Sequence, residues 1–324
     1  MKKIALIGLG KMGQTHARSY ESIKNASLVA VCDMNGEAAK ALAEKYGIKA
    51  YDSVAELLAE CDFDVADICT PTFTHLDLIK QVAAAKKHVV CEKPLAISVA
   101  EAEEAVRVCK ENDVVLFTAH VLRWFPEFAA ITRAVRSGSL GDIVTVRTTR
   151  GGGYPSSAST WFGDFSRSGG VILDLIVHDF DWLRDTLGDV KSVYARGLVD
   201  KGYEKMDYAL VTLNFKSGAI GHVEGSWMRP GGFVAGVKVC GTKGMIEHNN
   251  VRATSVRICK KEGNSVMTPN PAVYTPYRKE LKSFIDALEA GIDPAVKPED
   301  ALAAVKIACA AIESVKTGKV VEVK

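Results

Sequence analysis

Apolar and polar positions along this chain change rhythm near residue 120. Before that point, short β-rich apolar runs alternate with stretches whose apolar residues recur three and four apart, the pattern of a doubly wound parallel sheet. Lys3–Ile7, Leu28–Asp33, Val65–Cys69, His88–Cys91 and Val114–Thr118 are predicted strands. Lys11–Ile23, Glu37–Tyr46, Thr74–Ala85 and Val99–Asn112 are predicted helices, and Ser98 with Glu101 forms a capping box before the last. Beyond Trp124, Pro126 suits the first turn of a helix to about Ser137, and longer strands then follow without helices between them. In Asp207–Phe215, Ala209, Val211, Leu213 and Phe215 point one way and Tyr208, Leu210, Thr212 and Asn214 the other. Lys216-Ser217-Gly218 reads as a turn into Ala219–Trp227, and Val190–Val199, Phe233–Cys240 and Met245–His248 add strands to a mostly antiparallel sheet. Helices are predicted around Tyr277–Ala290 and Pro298–Thr317. The boundary falls near residues 119–125, dividing 1–121 from 122–324, with the final helix expected to pack back on the first domain.

Composition narrows the class. With 324 residues, 48% hydrophobic and 25% charged, two globular domains are expected. A net charge of +2 without like-charge blocks gives no footprint for nucleic acid or an anionic membrane, and no apolar run is long enough to span a bilayer. The eight cysteines show no metal-ligand spacing and read as reduced, mostly buried thiols in a cytoplasm. Met1-Lys2-Lys3 and the apolar Ile4–Leu9 could mimic a signal peptide, but the stretch stops at Lys11 with no cleavage site.

Candidate chemistry sits at strand ends. Gly8-Leu9-Gly10-Lys11-Met12-Gly13 is G-x-G-x-x-G directly after the first strand, with Asp33 twenty residues beyond Gly13 at the end of the second. The glycines serve a tight turn, close approach of a pyrophosphate, and helix–strand packing. A carboxylate at Asp33 accepts from ribose hydroxyls and repels a 2′-phosphate, so NAD is expected over NADP. Thr70 and Pro71 leave another strand end beside the same crevice; cofactor contact is expected there, although turn chemistry alone explains them. His75 is either a further contact or a helix-face residue.

Glu92-Lys93-Pro94 follows a predicted central strand, where ligands of open α/β sheets bind. After Ser168-Gly169-Gly170, Val171–Leu183 has helical length and carries Asp174, His178 and Asp181 on one face. These are a buried, mutually satisfied set, a solvated helix edge, or a catalytic group; no further ligands support a metal. Hydride loss from a carbinol needs a base and a donor for the developing alkoxide. His178 as base, Asp174 orienting it and Lys93 holding the oxygen would form that kit.

Together the glycine loop, Asp33, Thr70-Pro71 with His75, Glu92-Lys93-Pro94 and Gly-Gly-x-x-x-Asp-x-x-x-His ending in Asp181 resemble the Gfo/Idh/MocA family, that of glucose-fructose oxidoreductase and inositol dehydrogenases. The resemblance covers essentially the whole chain. It implies an α/β protein: an N-terminal Rossmann domain and a C-terminal α/β domain on a large open sheet that forms a homodimer or homotetramer interface. Lys93, Asp174 and His178 match the family's catalytic residues, and Glu92 joins the cofactor-side residues. Phe117–Pro126 is similar to its crossing segment, where inositol dehydrogenases commonly carry two arginines and this chain has Leu122-Arg123. Arg123 and Trp161 are the expected substrate residues, Trp161 either walling a pocket or anchoring its loop. The implied activity is NAD-dependent oxidation of a secondary hydroxyl of a sugar, cyclic polyol or sugar derivative. A glycoside-processing redox cycle with tightly held NAD and a non-enzymatic NAD/sugar sensor are the alternatives. Specificity is expected to lie in Gly151–Ser159.

Overall fold

The computed structural model describes residues 1–155, 160–198, 206–229, 232–251, 256–260, 263–267 and 275–324, without the side chains of 160, 256–260 and 263–267. In chain order the elements begin β1 (Lys2–Ile7), α1 (Lys11–Tyr20), β2 (Ala26–Cys32), α2 (Gly36–Tyr46), β3 (Lys49–Tyr51), α3 (Val54–Glu60), β4 (Val65–Ile68), α4 (His75–Ala84), β5 (His88–Glu92), α5 (Val99–Glu111) and β6 (Leu116–Ala119). They continue with α6 (Pro126–Arg136), β7 (Ile143–Gly151), α7 (Phe165–Ser168), a π-helical turn Val171–Leu175, α8 (Val177–Leu187), β8 (Val190–Gly197), β9 (Tyr208–Phe215) and β10 (Ile220–Ser226). The chain closes with β11 (Val234–Gly241), β12 (Gly244–Asn249), β13 (Val256–Lys260), β14 (Gly263–Met267), α9 (Pro276–Ala290), α10 (Pro298–Thr317) and β15 (Val321–Glu322).

Two compact units result, Met1–Val121 with Val273–Leu302, and Leu122–Ala272 with Ala303–Lys324. In the first, six parallel strands run in the order β3-β2-β1-β4-β5-β6. Strand order reverses between β1 and β4, which creates a ligand crevice at their carboxyl ends. Ile4–Ile7, Val65–Ile68 and Val89–Cys91 are buried because helices cover both faces of a parallel sheet. Asn35, Ser53 and Ser98 cap α2, α3 and α5 with side-chain oxygens. The returning helix in this unit is chiefly α9, not the last one: Phe284 stacks on Phe117 of β6 with centroids 5.1 Å apart.

Among the described residues the second unit holds nine strands in the order β14-β13-β12-β11-β7-β10-β9-β8-β15. Only the β10–β7 pair is parallel, so the sheet is mostly antiparallel. Alternation along β9 buries Ala209, Val211, Leu213 and Phe215 as the two-residue period requires. The β9–β10 hairpin turns at Gly218, whose φ of +91° favours glycine.

Several elements depart from the predicted pattern. β3, α3, β7, α7, β13, β14 and β15 are additional. Gly151 is no loop residue: it ends β7 opposite Ser226, where a Cβ would lie 2.7 Å from the Ser226 carbonyl oxygen. The helix predicted across Val171–Leu183 is interrupted, because Ile176 N–H donates to Val171 O over five residues before α8 begins. Val199 and residues 156–159 of the expected specificity loop lie outside the described residues. Among the described residues no helix is long and apolar enough to cross a membrane. The cysteines at 32, 61, 69, 91, 109, 240 and 309 are free; 32, 91 and 109 are fully buried and the other four only partly.

Candidate active site

The glycine loop divides its labour visibly. Gly8 has φ +90° and packs so tightly that a Cβ would sit 2.8 Å from the Cys69 carbonyl and Thr70 Cγ2. A Cβ on Gly13 would lie 2.0 Å from Gly8 O, so α1 can approach β1 only with glycine there. Gly10 differs: no atom among the described residues lies within 4 Å of its Cβ position, and it is exposed. That open cradle faces the start of α1, which has no side-chain cap and no acidic residue in its first turn. Exposed Lys11 and half-buried Met12 begin the helix. Uncapped amides at the positive helix end suit a pyrophosphate.

Asp33 completes this end. Its Oδ2 accepts from Leu9 N–H at 2.7 Å and its Oδ1 from Asn35 N–H at 2.9 Å, which aims the carboxylate across the carboxyl ends of β1 and β2. The residues present therefore fit a dinucleotide lacking a 2′-phosphate: glycines open to phosphate, amides to bind it, and a carboxylate for the ribose.

At the next strand end, Thr70 Oγ1 bonds Thr74 Oγ1 at 2.7 Å and half-buried Pro71 opens the turn. His75 is buried, with Nδ1 3.0 Å from Pro94 O and Nε2 3.0 Å from Thr70 O. Its ring joins two strand-end loops. Burial pushes its pKa down, only partly offset by the two carbonyls.

Glu92 is likewise turned inward. Its Oε2 accepts from Lys93 N–H at 3.0 Å, its Oε1 lies 3.2 Å from His16 Nε2, and it is buried. Burial works to raise its pKa, but His16 and Lys93 hold it below the usual glutamate value. Lys93 is only partly buried at the end of β5, before a cis peptide bond to Pro94.

In the second unit, Gly169 and Gly170 take φ values of +67° and +63° to enter the π turn. Asp207 Oδ2 accepts from Val171 N–H at 2.7 Å and occupies the space a Gly170 Cβ would fill. Asp174 lies in that turn and His178 in the first turn of α8, both half-buried. Two buried ion pairs fix the rotation of α8. Arg150 of β7 donates from Nε to Asp179 Oδ2 at 2.6 Å, and Arg123 holds Asp181 through two nitrogens at 2.8 and 2.5 Å. Arg123 also reaches Asp185 at 3.2 Å. Its guanidinium is thus engaged in holding α8, where a substrate contact was expected, and Asp181 serves the same pairing. Trp161 is half-buried and stacks on Phe162 at 4.0 Å; Phe162 and Tyr154 in turn meet Trp227 edge-on.

Residues absent from the sequence expectation also matter. His16, Asp67 and Cys69, a potential metal-ligating trio, converge inside the first unit. Hydrogen bonds account for the convergence: His16 Nδ1 lies 2.9 Å from Asp67 Oδ2 and 3.3 Å from Cys69 Sγ, and Tyr20 donates to Asp67 at 2.9 Å. Burial pushes the Cys69 thiol far up. The position of His16, six residues into α1 and facing inward, is the only signal the sequence offered.

Comparison with known proteins fits this geometry. Residues 2–120 match the model of an oxidoreductase family with an NAD-binding Rossmann fold, and 128–247 match the GFO/IDH/MocA C-terminal domain. The myo-inositol 2-dehydrogenase of Thermotoga maritima is 35% identical over 99% of this chain and 98% of its own. The inositol 2-dehydrogenase of Rhizobium meliloti is 32% identical over 97% and 96%. A crystal structure of an oxidoreductase from Agrobacterium radiobacter in complex with NAD+, L-tartaric acid and magnesium superimposes with a TM-score of 0.87 at 25% identity, covering 99% of this chain and 98% of that one. With its dinucleotide loop intact and both domain models matched, the chain belongs to the Gfo/Idh/MocA family of NAD-binding oxidoreductases.

Proposed function

We propose that this oxidoreductase oxidises a secondary hydroxyl of a cyclic polyol, sugar or sugar derivative, with Lys93, Asp174 and His178 as its catalytic residues. The observation that carries the proposal is Lys93 itself, held at the carboxyl end of β5, two strands from the glycine loop that ends β1. Bound NAD supplies the hydride acceptor. Gly8, Gly10, Gly13 and the first amides of α1 hold its phosphates, Asp33 its ribose, and Thr70 and Pro71 line the same end of the sheet. His178 takes the hydroxyl proton, Asp174 orients its ring and stabilises the imidazolium, and the Lys93 ammonium stabilises the developing alkoxide. Proton transfer of this kind contributes roughly a hundred- to ten-thousandfold in rate.

The inositol dehydrogenases among its relatives support a polyol or sugar as substrate. Trp161 is assigned to the substrate side, and Arg123 to holding α8. Partly exposed Tyr194, Leu210 and Ile220 on β8, β9 and β10 suit the sheet to a homo-oligomer contact, and free cysteines suit a reducing cytoplasm. The test is NADH formation across inositols, aldoses, and amino and oxo sugars, with NADP in parallel. Stoichiometric NADH from at least one of them, with NAD preferred, is expected; product release without net NADH would point to a redox-cycling enzyme instead.

A further inference from the structure

We infer that His16 is a positioning residue for Lys93: bridging Asp67 and Glu92 from α1, it fixes the carboxylate that anchors the Lys93 backbone. The inference rests on the proposed catalytic role of Lys93 and concerns how that lysine is held. Three observations within one unit carry it. His16 and Asp67 are both fully buried, and Asp67 Oδ2 lies 2.9 Å from Nδ1. Glu92 Oε1 lies 3.2 Å from the opposite ring nitrogen, Nε2. Glu92 Oε2 then accepts from the Lys93 N–H at 3.0 Å.

With a carboxylate within ion-pair distance of each ring nitrogen, at 2.9 Å and 3.2 Å, the imidazolium is the form that fits. Burial opposes that charge, yet Asp67 beside it holds the His16 pKa well above its ordinary value. Tyr20 of α1 donates to Asp67, and Lys93 acts on Glu92. From α9, packed on α1, buried Glu280 acts on Tyr20. Two buried carboxylates beside one another would otherwise repel, and Glu92 would swing from the Lys93 amide or take up a proton. His16 prevents both. Because it projects from the helix that receives the pyrophosphate, it also ties the cofactor helix to the lysine's strand end.

The two ring nitrogens can be tested separately. Asn at position 16 can place its amide nitrogen near Nδ1 and reach only Asp67; Gln can place its own near Nε2 and reach Glu92. His16→Asn is expected to lower kcat at least about tenfold while KM and the NAD Kd stay within about threefold, since displacing a catalytic group slightly costs rate more than binding. His16→Gln, which returns a donor to Glu92 without the charge, should lose less kcat than His16→Asn. Glu92→Gln, which keeps the shape but removes the charge facing Nε2, should match His16→Asn and serves if the His16 variants do not fold. Equal losses in His16→Asn and His16→Gln, or native kcat in Glu92→Gln, would overturn the inference. Lys93→Met in parallel separates the two levels: a fully active Lys93→Met removes the catalytic role beneath it, whereas a dead Lys93→Met beside a fully active His16→Asn removes only the positioning role.

Discussion

A single methyl group added to Gly10 or to Gly13 should produce opposite defects. On Gly13 the methyl would stand 2.0 Å from Gly8 O, a backbone atom with no rotamer to escape through, so α1 and the loop must separate by at least about 1.4 Å to reach ordinary contact. Overpacking of this kind costs up to about 3 kcal/mol. Helix propensity returns about 1 kcal/mol, because alanine is the better helix former. A net loss of about 2 kcal/mol corresponds to a melting point lower by about 4–8 °C in a unit of this size. On Gly10 the methyl meets no atom of the described residues within 4 Å, and φ −64°, ψ −166° is open to alanine. The fold should therefore lose only the small N-cap preference of glycine, within about 1 kcal/mol. The same methyl fills the cradle facing the pyrophosphate, and NAD affinity should fall about ten- to a hundredfold, or about 1.4–2.8 kcal/mol. Thermal unfolding without NAD and calorimetric NAD titration read the two effects apart. Native NAD affinity in Gly10→Ala, or native stability in Gly13→Ala, would refute this division of roles.

Other consequences are as specific. Arg123→Ala strands the buried Asp181 carboxylate and should cost about 3–5 kcal/mol in urea unfolding; a loss below about 1 kcal/mol would show that the pair does not hold α8. Asp33→Ala frees the Leu9 amide and removes the charge that repels a 2′-phosphate, so NAD binding should weaken and the NADP:NAD ratio of kcat/KM rise, whereas an unchanged ratio would contradict the role of Asp33. Buried His75 has a lowered pKa, so its folded form resists the proton that the unfolded chain binds below about pH 6.5; stability is fully present above that pH and is lost as pH falls. The slope approaches about 1.4 kcal/mol per pH unit for one group, and His75→Gln should flatten the stability profile just below about pH 6.5. An unaltered slope in that variant would assign the acid loss elsewhere.

The first unit was largely legible in sequence, because strands buried on both faces must be apolar runs and the glycine loop must follow one of them. What escaped was short, or depended on partners far along the chain. β3 has three residues, too few for a periodic signal, and β7 hides its alternation behind Arg147 and Arg150. Arg150 is buried only because Asp179, 29 residues away, neutralises it. Asp174 and His178 stand four apart, the α-helical interval, yet the chain makes a π turn there that Asp207 caps from before β9. Arg123 reads as a ligand for substrate until Asp181, 58 positions on, is seen to take its guanidinium. Glu92 and His75 were placed at the right strand ends but face the interior, since direction depends on neighbours that local sequence does not name. His16 was invisible for the same reason: Asp67, its partner, is 51 residues distant.

The most direct test of the account is turnover by Lys93→Met, measured with the best substrate of the polyol and sugar panel beside NAD affinity. Lys93 gives its backbone amide to Glu92, and in the proposed mechanism its side chain holds the reacting oxygen; methionine keeps the first and deletes the charge of the second. The account predicts an NAD Kd within about threefold of the native value and a kcat lower by at least about a hundredfold, the scale of removing one stabilising donor from a developing oxyanion. Near-native kcat in this variant would contradict it.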